Sequence, residues 1–223
     1  MRSSSKFLSY CMCVIKHESI LGNFTKITKL SIMKFQIFAF AIFIFTSFSM
    51  TDQQGLSLGD DAPVFKALAD DGSTWDIQNF LGEKYIVVYF YPAAMTGGCT
   101  KQACSYRDRR DDLLAAGVEV VGVSGDRVEN LRLFKQAENL NFTLLSDEKG
   151  DIAEAFGVPV GDGGAIKRTI GGSEFELVRD ITTRRWTFII GKNSKIIYIN
   201  DSVNAENDTE EVLNFLTNQA SYL

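Results

Sequence analysis

Four cysteines and one histidine set the limits on nucleophilic and metal chemistry in this 223-residue chain. Cys11, Cys13 and His17 lie near the N-terminus and are assigned no role in the mature protein. Cys99 and Cys104 stand in "YPAAMTGGCTKQAC", the stretch that begins at Tyr91. Past residue 50 these are the remaining cysteines and no histidine occurs, so a four-ligand zinc site, a Cys-His hydrolase and a histidine-bound copper site are excluded. An inert pair, a disulfide exchanger and a peroxide reducer stay open. The Cys-x4-Cys spacing departs from the Cys-x-x-Cys of ordinary thioredoxin-like exchangers.

The chemistry depends on the elements that carry the thiols. "YIVVYFYP", Tyr85 to Pro92, is a continuous β-branched and aromatic run and predicts a strand buried on both faces. A helix follows from about Cys99 to Ala116, closed by Gly117, and then a second buried strand, "VEVVGVS". Cys99 therefore falls at a helix N-terminus, where unpaired N–H groups and the helix dipole favour a thiolate, the nucleophilic form of the group. Gly97 and Gly98 offer backbone conformations closed to other residues and let a small substrate approach the main chain. Thr96 either caps the helix or donates its hydroxyl to an oxygen of a substrate.

The remaining pattern completes the fold. Two short strands flank an Asp71-Gly72 turn. A helix over "VENLRLFKQAENL", a strand "FTLLS", a short helix "DIAEAF", a hairpin "WTFIIGKNSKIIYIN" and a last helix "TEEVLNFLTNQ" follow. The βαβα opening predicts parallel central strands, and the closing hairpin adds antiparallel members. The expected fold is α/β, a thioredoxin-like three-layer sandwich with a central mixed sheet.

Charge separates a leader from the rest. Residues 1–50 carry six Lys/Arg and one acid, leaving 17 basic and 27 acidic residues, a net −10, beyond them. That surface argues against nucleic acid or an anionic membrane as partner. Within the leader, the apolar run Phe35 to Phe48 follows Met33-Lys34 and precedes small residues, the pattern of an export signal. It is shorter than the ~20 residues of a comfortable membrane span, so cleavage is expected. Residues 1–50 are thus read as a leader and 51–223 as one domain, exported to a periplasm or secreted. An uncleaved membrane anchor and a two-part organellar leader are the alternatives.

"YFYPAAMTGGCT" resembles the active-site pattern of the peroxiredoxin (AhpC/TSA) family, with Pro92, Thr96 and Cys99 in its proline, threonine and peroxidatic cysteine places. Cys104 is similar to the resolving cysteine of the peroxiredoxin Q, or bacterioferritin-comigratory-protein, subgroup. "LLSDEKGDIAEAFGV" and "RRWTFIIGKNSKI" resemble later family motifs, and the second puts the family's active-site arginine at Arg185, with Arg184 as its competitor. Gly97 stands where many members have proline. The glycine-rich stretch Val158 to Thr183 is expected to form a flexible flap; it lacks the context and ending of a phosphate loop.

The resemblance implies a thiol peroxidase acting on hydrogen peroxide and alkyl hydroperoxides, as a monomer, without metal or cofactor. Arg185 would supply a fixed cation as negative charge develops on the peroxide, Thr96 and helix amides would orient its oxygens, and Pro92 would shield the product from water. Cys99 would become a sulfenic acid that Cys104 condenses to a disulfide, reduced in turn by a thioredoxin-like protein. Five helical residues advance about 7.5 Å and leave the two thiols about 140° apart, so the helix start must unwind for them to bond. The alternative functions are an exported thiol-disulfide oxidoreductase and a redox-inert interaction module, neither of which needs the Pro92, Thr96 and Arg185 set.

Overall fold

A computed structural model describes residues 55–220; the leader, with its apolar run, Cys11, Cys13 and His17, lies outside the described residues. Chain order is β1 (Lys66–Ala69), β2 (Thr74–Asp76), a short 3-10 turn (Ile77–Asn79), β3 (Tyr85–Phe90), α1 (Gly97–Asp108), α2 (Arg110–Ala115), β4 (Val118–Ser124) and α3 (Val128–Glu138). Then come β5 (Thr143–Ser146), α4 (Asp151–Ala155), β6 (Val160–Ile170), β7 (Ser173–Thr183), β8 (Trp186–Ile190), β9 (Ile196–Asn200) and α5 (Asp208–Ala220).

Seven strands form one mixed sheet in the order β2-β1-β5-β4-β3-β8-β9. The β3/β4 and β4/β5 pairs are parallel, as the βαβα opening requires, while β8 runs antiparallel to β3 and β9 to β8. The α/β three-layer sandwich with a mixed central sheet is thus as expected. Alternation along β3 divides the core. Val87 and Tyr89 face α1, α2, α3 and α5 through Tyr106, Leu113, Phe134 and Val212, whereas Ile86, Val88 and Phe90 face Ile77, Ile152 and Phe156. Burying such a side chain contributes about 1.5–3 kcal/mol. A strand apolar at every position is therefore the consequence of covering both faces.

Tyr89 pairs across the ladder with Gly122 of β4, and its ring occupies the space above that glycine: a Cβ there would lie 2.6 Å from the ring. The ring stacks on Tyr106 of α1 at 4.8 Å between centroids. Sheet packing in this way sets the height of α1 over the sheet.

Two expectations change. The helix from Cys99 to Ala116 is two helices, α1 and α2, broken at Arg109, whose φ of −106° and ψ of 17° leave the helical region. The glycine-rich stretch is a regular hairpin, since β6 and β7 pair over their whole lengths across a turn at Gly171 and Gly172, both with positive φ. Its buried anchor is Leu177, and Asn130 of α3 donates to Val178 O.

Candidate active site

The segment between β3 and α1 is held from several sides. Tyr91 N donates to Val123 O and Thr183 Oγ1 to Tyr91 O; Ala94 N donates to the buried carboxylate of Asp126, 2.7 Å away. Arg168 of β6 donates to Met95 O at 2.8 Å, which ties the hairpin to the same segment. Met95 adopts φ 58°, a left-handed conformation that costs a methionine about 1 kcal/mol and is kept by these bonds. Pro92 lies half-buried at the start of the segment.

Thr96 is the N-cap residue of α1, but its side chain makes no capping bond; the hydroxyl donates to Ala93 O at 2.9 Å. Thr96 therefore caps the helix by position and not by a side-chain bond; with its proton on that carbonyl, the free side of the oxygen is an acceptor. The first helical bond runs from Thr100 N to Thr96 O. The N–H groups of Gly97, Gly98 and Cys99 precede it and have no intrahelical partner.

Cys99 is buried in the first turn of α1, and Arg185 Nη2 donates to its sulfur at 3.2 Å. Arg185 lies just before β8 and is half-buried, whereas Arg184 is exposed. Neither Gly97 nor Gly98 has positive φ, so backbone freedom is not their reason. A Cβ on Gly98 would lie 3.3 Å from Arg185 Nη2, so that glycine leaves room for the guanidinium; around Gly97 nothing lies within 4 Å.

Arg185 Nη1 donates to Gln102 Oε1, and Gln102 Nε2 donates to Asp208 Oδ2 at 2.7 Å. The same carboxylate oxygen accepts Tyr106 OH at 2.8 Å and Thr187 Oγ1 at 2.9 Å. Burial pushes the Asp208 carboxyl above its ordinary range, opposed by these three donors. Sequence reasoning missed Gln102 and Asp208. Gln102, three residues after Cys99 on one helical face, had a spacing signal; Asp208, 106 residues farther on, had none.

Cys104 is half-buried and turned elsewhere. Its Sγ donates to Glu138 Oε2 of α3 at 3.7 Å, and burial first, then Glu138, pushes the thiol up against the pull of Arg107. Both thiols are free on an intact α1. Cys104 also lines an open groove of about 550 Å³ with Lys101, Asp108, Arg109, Glu206 and Glu210. A larger groove, about 720 Å³ between α4 and the start of β6, holds neither thiol.

The AhpC/TSA family profile matches residues 58–199. Peroxiredoxin Bcp of Escherichia coli K12 is 41% identical over 165 residues, covering 74% of this chain and 98% of the relative. The chloroplastic peroxiredoxin Q of Suaeda salsa is 36% identical over 163 residues, covering 72% of this chain and 68% of its own. Among solved structures, peroxidoxin BcpB from Mycobacterium tuberculosis aligns with TM-score 0.60 and 29% identity over 73% of this chain and 97% of that one. A free thiol in the first turn of a helix, beside an arginine and within this fold, agrees with those sequences: the chain belongs to the AhpC/TSA family, in its Bcp and peroxiredoxin Q group.

Proposed function

We propose that this thiol-dependent peroxidase reduces hydrogen peroxide and alkyl hydroperoxides with Cys99 as the attacking thiolate and Cys104 as the resolving thiol. The observation that carries the assignment is the Arg185 guanidinium on the Cys99 sulfur, 3.2 Å away at a helix N-terminus. A cation there touches the attacking sulfur and is in place for negative charge on the leaving oxygen.

In the first step the Cys99 sulfur displaces alkoxide or hydroxide from the peroxide, the O–O bond breaks, and a proton completes the alcohol or water. Sulfur is oxidised to sulfenic acid. The free N–H groups of Gly98 and Cys99 orient the peroxide oxygens, Thr96 Oγ1 accepts a hydrogen bond from the peroxide O–H, and Pro92 limits the approach of water to the product. In the second step Cys104 sulfur displaces the sulfenic oxygen, which leaves as water with the thiol proton, and a disulfide forms. A thioredoxin-like dithiol protein then exchanges with that disulfide and is itself oxidised. The groove beside Cys104 gives such a partner access.

Both reacting thiols lie on α1 of one chain, so the cycle needs no second copy, and we read the enzyme as a monomer. From the leader pattern we infer an exported location, where electrons must be delivered to the disulfide. Purified Cys99→Ser should consume no peroxide above background while keeping its fold. Turnover near the parent rate in that variant contradicts the assignment.

A further inference from the structure

The arginine on Cys99 is not held by Cys99 alone. A guanidinium has donors and no acceptor, and an ionised carboxylate has acceptors and no donor. Gln102 lies between one of each, Arg185 and Asp208. Its amide therefore satisfies both neighbours in one orientation, carbonyl to Arg185 and NH2 to Asp208. Turned over, it would set NH2 against guanidinium and carbonyl against carboxylate and lose both bonds.

Asp208 is itself fixed. Tyr106 from α1 and Thr187 from β8 donate to the same oxygen that receives Gln102, and the residue is fully buried at the start of α5. Tyr106 is braced by the stacked Tyr89 ring. The other carboxylate oxygen, Oδ1, is buried without a hydrogen-bond partner. Asp208 also has no ion-pair partner within 4 Å among the described residues, so its stability value is poor for a buried carboxylate. What it supplies is an acceptor at a defined point.

We propose that Asp208 is a positioning residue for peroxide reduction, orienting the Gln102 amide so that its carbonyl clamps one arm of Arg185 and leaves the other arm on the Cys99 sulfur. This rests on Cys99 being the attacking thiolate. Asp208 touches neither thiol nor peroxide, and its effect passes through Arg185. An asparagine can do the same work, with its oxygen in the place of Oδ2 and its NH2 in the unpartnered place.

The test is the rate of the first oxidation by hydrogen peroxide, followed by stopped flow on the full reduced chain in a single turnover. Asp208→Ala should slow this step about tenfold, the scale of one lost charge-assisted bond at the reacting group, and Asp208→Asn should stay within about twofold of the parent. In an Arg185→Ala background, Asp208→Ala should produce no further loss. Parent-like oxidation of Asp208→Ala, an Asn variant as slow as the Ala variant, or an equal loss in the Arg185→Ala background each overturns the proposal. Cys99→Ser, run alongside, separates the two claims. If it is silent while Asp208→Ala matches the parent, the positioning role alone falls; if it oxidises normally, the assignment of Cys99 falls.

Discussion

Cys104 turns its sulfur toward Glu138 on α3, 3.7 Å away, while Cys99 on the same helix faces Arg185. The two thiols leave α1 on different sides, so forming a bond between them requires the first turns of that helix to open. Oxidation with one equivalent of peroxide should accelerate amide exchange from Cys99 to Tyr106 while β3, Tyr85–Phe90, stays protected. Hydrogen-exchange mass spectrometry compares the two oxidation states. Equal exchange in both would place the resolving thiol elsewhere.

Glu138 is one of the causes that push the Cys104 thiol up, after burial itself. Glu138→Gln removes that carboxylate and so raises the thiolate fraction at neutral pH. Alkylation of the Cys104 peptide by iodoacetamide should become severalfold faster, with the Cys99 peptide unchanged. Because the thiol is raised, the parent's Cys104 should also alkylate faster as pH rises past neutral.

The two glycines ahead of Cys99 should behave differently. Gly98→Ala puts a methyl group 3.3 Å from Arg185 Nη2 and should slow peroxide oxidation severalfold in a folded protein. Gly97→Ala meets nothing within 4 Å and should keep the parent rate. It should also gain roughly 0.5–1 kcal/mol of stability, seen by denaturant unfolding, because alanine loses less backbone freedom in a helix.

Asp208 gives a pH-dependent stability signature. Burial raises its folded-state pKa, so its contribution is fully present below the unfolded value, about 3.9, and is lost as pH rises through the folded value. An asparagine in its place does not titrate. The melting temperature of Asp208→Asn relative to the parent should therefore increase from about pH 4 to neutral pH. Asp126 and Asp147 shift in the same direction but are present in both proteins and cancel in the difference. A difference that stays constant or shrinks over that range contradicts a buried, ionisable Asp208.

The sheet and the thiol-bearing helix were legible because β3 and β4 are buried on both faces and so are apolar at nearly every position. The break at Arg109 was not: Leu113 keeps an apolar face after it, and the change lies in one residue's backbone. The β6–β7 hairpin hid behind its glycines: most of its residues are exposed and its alternating apolar positions are few, Ile166 and Ile170 on one arm and Phe175 and Leu177 on the other, although Gly171-Gly172 between two extended arms was a turn signal. At the site, the order of Pro92, Thr96, Cys99 and Arg185 could be read along the chain. Asp208 could not, because beside Glu210 and Glu211 it reads as one more acid in the first turn of a solvated helix. Its burial arises from three donors that converge from α1 and β8.

The most direct test of the account is trapping of the oxidised sulfur in full-length Cys104→Ser, treated with one equivalent of hydrogen peroxide and then dimedone, with adducts located by peptide mass spectrometry. The adduct should sit on the Cys99 peptide, and the variant should stall after one turnover with a thioredoxin-like reductant. An unmodified Cys99 with the adduct on another cysteine, or undiminished cycling, would contradict the assignment of Cys99 as the attacking thiolate and Cys104 as its resolving partner.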